Sequence, residues 1–158
     1  EIDHIVLPVG NGSLLIGMVR GYQELLAAGV IVKIPKFHCV QAHAVRPLVA
    51  ALNGEQWSYH DALPTDASGI AVSKPPRLAE MLEAIKSTNG SGITVPEESL
   101  GAWQKRLSVS EGLFSEMTSA GAFAGLERLI ESGEIEHGSN VCLPITGSGL
   151  KEPLKVVG

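Results

Sequence analysis

The stretch "LPVGNGSLLIG", residues 7–17, sets an apolar run directly against a glycine turn and then opens an amphipathic helix. Residues 2–9 are nearly continuously apolar, which is typical of a strand covered on both faces of a parallel sheet. The helix predicted from about Ser13 to Ala28 has one apolar stripe, and Gly29 follows as a C-terminal stop. The junction therefore predicts a strand, a glycine loop and a helix in direct succession.

The rest of the chain continues this alternation. Further strands are predicted at "KFHCVQA" (36–42), "GITV" (92–95) and "NVCLPI" (140–145), and further helices at 46–52, from Pro75 and Pro76 to about residue 86, at 97–109 and at 119–132. Crossovers of helical length indicate an α/β fold, with three αβα layers and a mostly parallel four-stranded sheet. No internal repeat or low-complexity linker divides the chain. We therefore expect residues 1–158 to form a single α/β domain, as one unit or as a portion of a larger two-domain enzyme.

Composition excludes several classes of partner. The chain has 158 residues, 44% of them hydrophobic, and a formal net charge of -5, so no basic stripe is available for nucleic acid or an anionic membrane surface. Its apolar runs are shorter than the roughly 20 residues of a membrane-spanning helix, so neither a transmembrane segment nor a signal peptide is expected. Cys39 and Cys142 form no CxxC motif, which favours a reducing, cytoplasmic setting without a disulfide framework. No two histidines have the i, i+4 spacing of a zinc helix, so no metal site is expected.

The glycine loop has two interpretations. Ligands of open α/β sheets bind beyond the carboxyl ends of the strands, where a helix N-terminus offers unpaired N–H groups. Gly10 and Gly12 would permit conformations that a Cβ forbids and let backbone donors approach an anion, while Asn11 and Ser13 could add side-chain donors. The alternative is a tight turn with Ser13 as the helix N-cap. A dinucleotide fingerprint is not favoured, because Leu15 stands at its third glycine position and no acidic residue ends the second strand.

A second stretch, "LPITGSGLKEP" (143–153), follows the last predicted strand. Its Thr146 would project its hydroxyl at the same edge of the sheet as the glycine loop. Considered alone, Thr146 is a polar residue in a terminal turn. It indicates a ligand site only in combination with the glycine loop.

Together these stretches resemble threonine synthase and its relatives among the fold type II pyridoxal-phosphate enzymes, the tryptophan synthase β family. "PVGNGSLLIG" (8–17) looks like that family's phosphate loop, and "GLFSEMTSAGAFAGL" (112–126) is similar to its "G-hydrophobic-F-x-E-P-x-S-A" segment. "ITGSGLKEP" (145–153) is similar to its closing "LTGHGLKDP". The resemblance runs in order from Ile5 to Pro153.

The resemblance implies pyridoxal 5'-phosphate as cofactor and an amino acid as substrate. The residues that match the phosphate loop are Gly10, Asn11, Gly12, Ser13 and Leu14. Thr146 matches the residue whose hydroxyl meets the pyridine nitrogen, and a neutral hydroxyl can donate to an unprotonated ring nitrogen. Glu116 and Ser119 match an acidic and a serine position near the ring, or else are a first-turn acid and an N-cap.

The sequence also departs from the family. Ser13 and Leu14 replace a glycine and an asparagine, Met117 replaces a proline, and Ser148 replaces a histidine. The half that carries the family's Schiff-base lysine has no counterpart, and none of the seven lysines occupies its context. An apolar run directly after Glu1 fits this expectation that only the C-terminal part is present.

These features predict the cofactor-phosphate-binding portion of a threonine synthase-like lyase of threonine biosynthesis, acting on an amino acid such as O-phosphohomoserine. We expect this cytoplasmic chain to be inactive alone and to pair with a second copy or with a complementary N-terminal half. The alternative is a non-catalytic truncated paralogue that serves as a ligand-binding or protein-interaction module. Another nucleotide-binding α/β domain is a weaker third option.

Overall fold

A computed structural model describes residues 1–151 of the chain. Its four strands are β1 (His4–Pro8), β2 (Lys36–Ala42), β3 (Gly92–Val95) and β4 (Val141–Cys142). They form one sheet in the order β3-β2-β1-β4, and every neighbouring pair is parallel. The predicted parallel four-stranded sheet is therefore confirmed. The end of the "GLKEP" motif, Glu152 and Pro153, lies outside the described residues.

Five helices connect and cover the strands. They are α1 (Ser13–Ala27), α2 (Pro47–Leu52), α3 (Leu78–Ser87), α4 (Glu97–Glu111) and α5 (Met117–Glu131), with short 3₁₀ helices at Tyr59–Asp61, Ser68–Ile70 and Gly149–Lys151. Each predicted helix is present to within a few residues. None of the helices within residues 1–151 has the length and hydrophobicity that crossing a bilayer requires.

Alternate strand residues face two separate layers of helices. Ile5, Leu7 and Phe37 pack with apolar residues of α1, α2 and α3, whereas Val6 and Val40 pack with residues of α4 and α5. Because successive side chains of a strand point to opposite faces, both faces of β1 and β2 are apolar and both are covered. This is the physical reason for the continuous apolar runs in the sequence, and it confirms the three-layer αβα architecture.

Two predicted boundaries differ from the structure near the end of the chain. β4 ends at Cys142 rather than at residue 145, because the backbone turns toward α5 and the Thr146 N–H donates to the Ser119 Oγ at 2.9 Å. α5 begins at Met117, with Glu116 as the extended N-cap residue, so Ser119 lies inside the first turn. The interpretation of Ser119 as an N-cap is therefore wrong.

The strand order changes direction at β1. The chain proceeds from β1 to β2 and β3 on one side, while β4 adds to the other side of β1. The helix after β1 and the helix before β4 consequently lie on opposite faces of the sheet. Such a switch in strand order opens a crevice beyond the carboxyl ends of the strands, where ligands of α/β proteins bind.

Candidate functional site

The loop between β1 and α1 presents a helix N-terminus to this crevice. Gly12 is the N-cap residue and is left-handed, with φ of 81°, and no side chain caps the helix. The Ile16 N–H donates to the Gly12 carbonyl at 2.9 Å, so the N–H groups of residues 13–15 precede the first bond of the helix. Ser13 is the first helical residue, and the alternative in which it is the N-cap is therefore wrong.

Gly10 has a different role from Gly12. Its φ is not left-handed, so the expectation that both glycines adopt conformations forbidden to other residues holds for Gly12 alone. A Cβ at Gly10 would instead lie 2.7 Å from the Gly69 carbonyl oxygen. The Gly69 N–H in turn donates to the Thr118 Oγ1 at 3.0 Å, which ties this 3₁₀ segment to the start of α5.

A cavity of about 260 Å³ joins the two stretches that the sequence singled out. All six predicted site residues line it: Gly10, Asn11, Gly12, Ser13, Leu14 and Thr146. Gly69, Ile70 and Thr118 form another wall. Residues that are far apart in the sequence thus line one small, half-open pocket, sized for a small molecule rather than for a macromolecule.

Thr146 belongs to a hydrogen-bond network with α5. Its hydroxyl donates to the Glu116 Oε1 at 2.8 Å, and its Oγ1 lies 2.9 Å from the Ser119 Oγ. Glu116 and Ser119 are both buried. The structure therefore brings together the threonine, the acid and the serine of the predicted family pattern.

Lys151 was not predicted as a site residue, yet it lines the same cavity. Its Nζ lies 2.5 Å from the Glu116 Oε2. The sequence signal was the "GLKEP" context, which places Lys151 close behind Thr146, but it gave no indication that the ammonium group turns back toward α5. Of the lysines in residues 1–151, it is the one at this cavity.

A larger cleft of about 590 Å³ lies at the opposite edge of the sheet. It is formed by residues that precede the strands, including Asp3, Lys33 and Glu134, whose charges are of both signs. We favour the smaller cavity because it lies at the carboxyl edge, at the switch in strand order. Within the described residues no group of three or more metal-binding side chains is close enough to hold an ion.

The residues at the smaller cavity fit a phosphorylated cofactor. The first turn of α1 contains no acidic residue and no side-chain cap, so its N–H groups and its positive dipole end remain available to an anion. Asn11 and Ser13 are exposed beside these groups. Thr146 lines the same cavity, where its hydroxyl could form a hydrogen bond with the ring nitrogen of such a cofactor.

Comparison with known proteins agrees with this geometry. The family model "Pyridoxal-phosphate dependent enzyme" matches residues 1–147. The chain is 33% identical over 156 residues to a threonine synthase of Methanocaldococcus jannaschii, covering 96% of the chain and 38% of that protein. It is 33% identical over 147 residues to a threonine synthase of Mycobacterium leprae, covering 93% of the chain and 39% of that protein. The chain thus spans about two fifths of the length of these relatives.

Solved structures share the fold. A processed threonine deaminase isoform 2 from Solanum lycopersicum superposes with a TM-score of 0.72 at 21% identity, covering 93% of this chain and 40% of that one. A serine racemase from Dictyostelium discoideum superposes with a TM-score of 0.70 at 21% identity, covering 94% of this chain and 44% of that one. The expected fold type II architecture is confirmed. The protein belongs to the pyridoxal-phosphate-dependent enzyme family, and threonine synthases are among its relatives.

Proposed function

We propose that this chain is the cofactor-phosphate-binding portion of a threonine synthase-like lyase. The observation that carries the proposal is the shared cavity, which is lined both by the uncapped N-terminus of α1 and by Thr146. The N–H groups that follow Gly12 would bind the phosphate. Gly10, Asn11, Ser13 and Leu14 would complete the loop around it, and Thr146 would lie beside the ring.

The chemistry of the proposed site follows from what its residues can hold in place. When bound, pyridoxal phosphate supplies an electron-withdrawing ring that stabilises negative charge on the α-carbon of an amino acid. The loop would hold the phosphate, and the Thr146 network would orient the ring. The resemblance to threonine synthases implies an amino-acid substrate such as O-phosphohomoserine, from which phosphate would be eliminated before water adds, and a role in threonine biosynthesis.

A titration with pyridoxal phosphate tests the anchoring step. Ser13→Asp places a carboxylate on an exposed residue in the first turn of α1, beside the proposed phosphate. We expect the affinity to fall at least about tenfold, while the same charge stabilises α1 by roughly 0.3–1 kcal/mol. Absorbance reports binding, and inorganic phosphate should compete with it.

The matched control is Ser110→Asp, which makes the same change on an exposed residue of α4. This control should bind like the wild type. Failure of the wild-type chain to bind, or equal affinities for wild type and Ser13→Asp, would overturn the phosphate assignment.

A second function is a binding module without chemistry, and one observation favours it for the chain on its own. Lys151 is paired with the Glu116 carboxylate and is thereby held as an ammonium, whereas a Schiff-base nucleophile must be a neutral amine. A complementary polypeptide half, or a second copy of the chain, would have to complete an active enzyme.

The unpaired Cys39 and Cys142 support a reducing, cytoplasmic setting.

Borohydride reduction followed by mass analysis separates these functions. We expect the chain alone to bind the cofactor, to form no covalent adduct at any lysine and to turn over no amino acid. A pyridoxyl adduct on one lysine, together with turnover by the purified chain, would show that the chain is a complete enzyme. This result would contradict the proposal that the chain alone binds the cofactor without catalysis.

A further inference from the structure

The short 3₁₀ helix Ser68–Ile70 contributes a wall of the cavity, although no predicted motif includes it. Ala67 and Ile70 are buried, whereas Gly69 between them is exposed and lines the cavity. Because glycine has no side chain, it is the backbone of Gly69 that lies beside the space for a ligand. A short exposed segment of this kind opens locally at low cost unless another element holds it.

A threonine of α5 holds this segment in place. The Thr118 Oγ1 accepts the Gly69 N–H at 3.0 Å, and a Cβ added at Gly69 would lie only 2.9 Å from the same oxygen. Thr118 is 3% exposed and also lines the cavity. It stands at the x between proline and serine in the family's "G-hydrophobic-F-x-E-P-x-S-A" segment, so the resemblance gives it no role.

The carbonyl side of Gly69 packs against the glycine loop. A Cβ added at Gly10 would lie 2.7 Å from the Gly69 carbonyl oxygen and 3.2 Å from the Ile70 Cα. The two backbones are therefore in close contact, with no side chain between them. A continuous series of contacts thus runs from α5 through Thr118 and Gly69 to Gly10, where the loop before α1 begins.

We propose that Thr118 is a positioning residue of the cofactor site, which holds Gly69 against Gly10 and so keeps the glycine loop in the shape that binds a phosphate. The inference rests on the proposed function, because it takes the phosphate of the cofactor as the ligand of the loop. Thr118 acts through the backbone of the 3₁₀ helix. A wall that is already ordered loses less conformational entropy when a ligand binds, so this hydrogen bond contributes to the affinity.

Thr118→Val tests this role, because valine keeps the shape of threonine but removes the acceptor of the Gly69 N–H. The probes are pyridoxal phosphate and inorganic phosphate, each titrated into the full chain. We expect the affinity for both to fall about three- to tenfold, which is the effect of losing one hydrogen bond that pre-orders the site. Thr118→Ser retains the oxygen and should bind both probes nearly as well as the wild type.

The matched control is Thr88→Val, which removes the same kind of bond at the other edge of the sheet. The Thr88 Oγ1 accepts the Phe37 N–H at 3.2 Å, and both residues are buried. In urea denaturation this variant should lose at least as much stability as Thr118→Val, because water can reach the amide of exposed Gly69 more easily than that of buried Phe37. It should nevertheless bind both probes like the wild type.

Gly69→Ala disturbs the same contact from the opposite side. The added Cβ must displace either the Thr118 side chain or the 3₁₀ helix, so this variant should also bind both probes more weakly. If Thr118→Val does not fold, Gly69→Ala and Thr118→Ser decide the question together. The first should then weaken binding and the second should preserve it.

The outcomes distinguish this inference from the proposed function. Equal affinities for the wild type and Thr118→Val would overturn the role of Thr118 and leave the phosphate site standing. The same conclusion would follow if Thr118→Ser bound as weakly as Thr118→Val, or if Thr88→Val weakened binding to the same extent. A wild-type chain that binds neither probe would overturn the proposed function itself, and this inference with it.

Discussion

Gly12 and Gly17 lie in the same short stretch, but only Gly12 has a backbone conformation that favours glycine. Gly12 is the left-handed N-cap of α1, and a Cβ added there would run into the side chain of Met81. Gly17 is exposed within α1, and nothing lies within 4 Å of an added Cβ. The loop therefore needs glycine at position 12 for its geometry, whereas the helix gains nothing from Gly17.

Alanine substitutions at these two positions should change stability in opposite directions. We expect Gly12→Ala to lower the free energy of unfolding by about 1–2 kcal/mol, because alanine is strained in the left-handed region. Gly17→Ala should raise the free energy of unfolding by roughly 0.5–1 kcal/mol, because alanine loses less backbone entropy in a helix. Urea denaturation measures both values, and a Gly12→Ala variant as stable as the wild type would contradict the left-handed cap.

At the scale of the elements, a pair of buried histidines joins β1 and β2. The His4 Nδ1 lies 2.8 Å from the His38 Nε2, and the His38 Nδ1 lies 2.8 Å from the Ser91 Oγ. Burial is the main cause that lowers the pKa of His38 to about 4, and His4 and Lys36 lower it further. Burial also lowers the pKa of His4, against the opposing effect of Asp3 and Glu134. The pair therefore resists protonation while the chain is folded.

The histidine pair predicts a loss of stability in mild acid. An unfolded histidine takes up its proton near pH 6.5, whereas folded His38 resists until about pH 4, so the unfolded state binds more protons between these values. The free energy of unfolding should fall by roughly 2 kcal/mol as the pH drops through this window. His38→Gln should flatten this slope in denaturation curves taken at several pH values. The exposed control His137→Gln should keep the slope, and a flat wild-type curve would contradict the prediction.

At the scale of the molecule, the order of the strands decides where a ligand can bind. β1 lies between β2 and β4, so the loops after β1 and β4 open on the same edge of the sheet. The larger cleft lies at the other edge, among residues that precede the strands. The position of the candidate site is therefore a property of the connections between strands rather than of any one loop.

Much of this architecture could be predicted from local patterns. The continuous apolar runs predicted buried parallel strands, because only a strand covered on both faces needs no polar side. The glycine loop and Thr146 were expected at the same edge of the sheet because parallel strands end there. Their assignment to one cofactor site came from the resemblance to the pyridoxal-phosphate enzymes. The end of β4 and the start of α5 were predicted less well, because the contact of Ser119 with the Thr146 backbone depends on a residue distant in sequence.

The sequence by itself determined the strand and helix pattern, the glycine loop and the resemblance to a family of pyridoxal-phosphate enzymes. Each of these depends only on neighbouring residues or on the order of motifs along the chain. Only the tertiary structure decided that Lys151 turns back to Glu116, that Thr146 gives its proton to that carboxylate, and that His4 meets His38. The physical reason is that hydrogen bonds and ion pairs depend on distances of a few ångströms between elements, and residue spacing along the chain does not encode such distances.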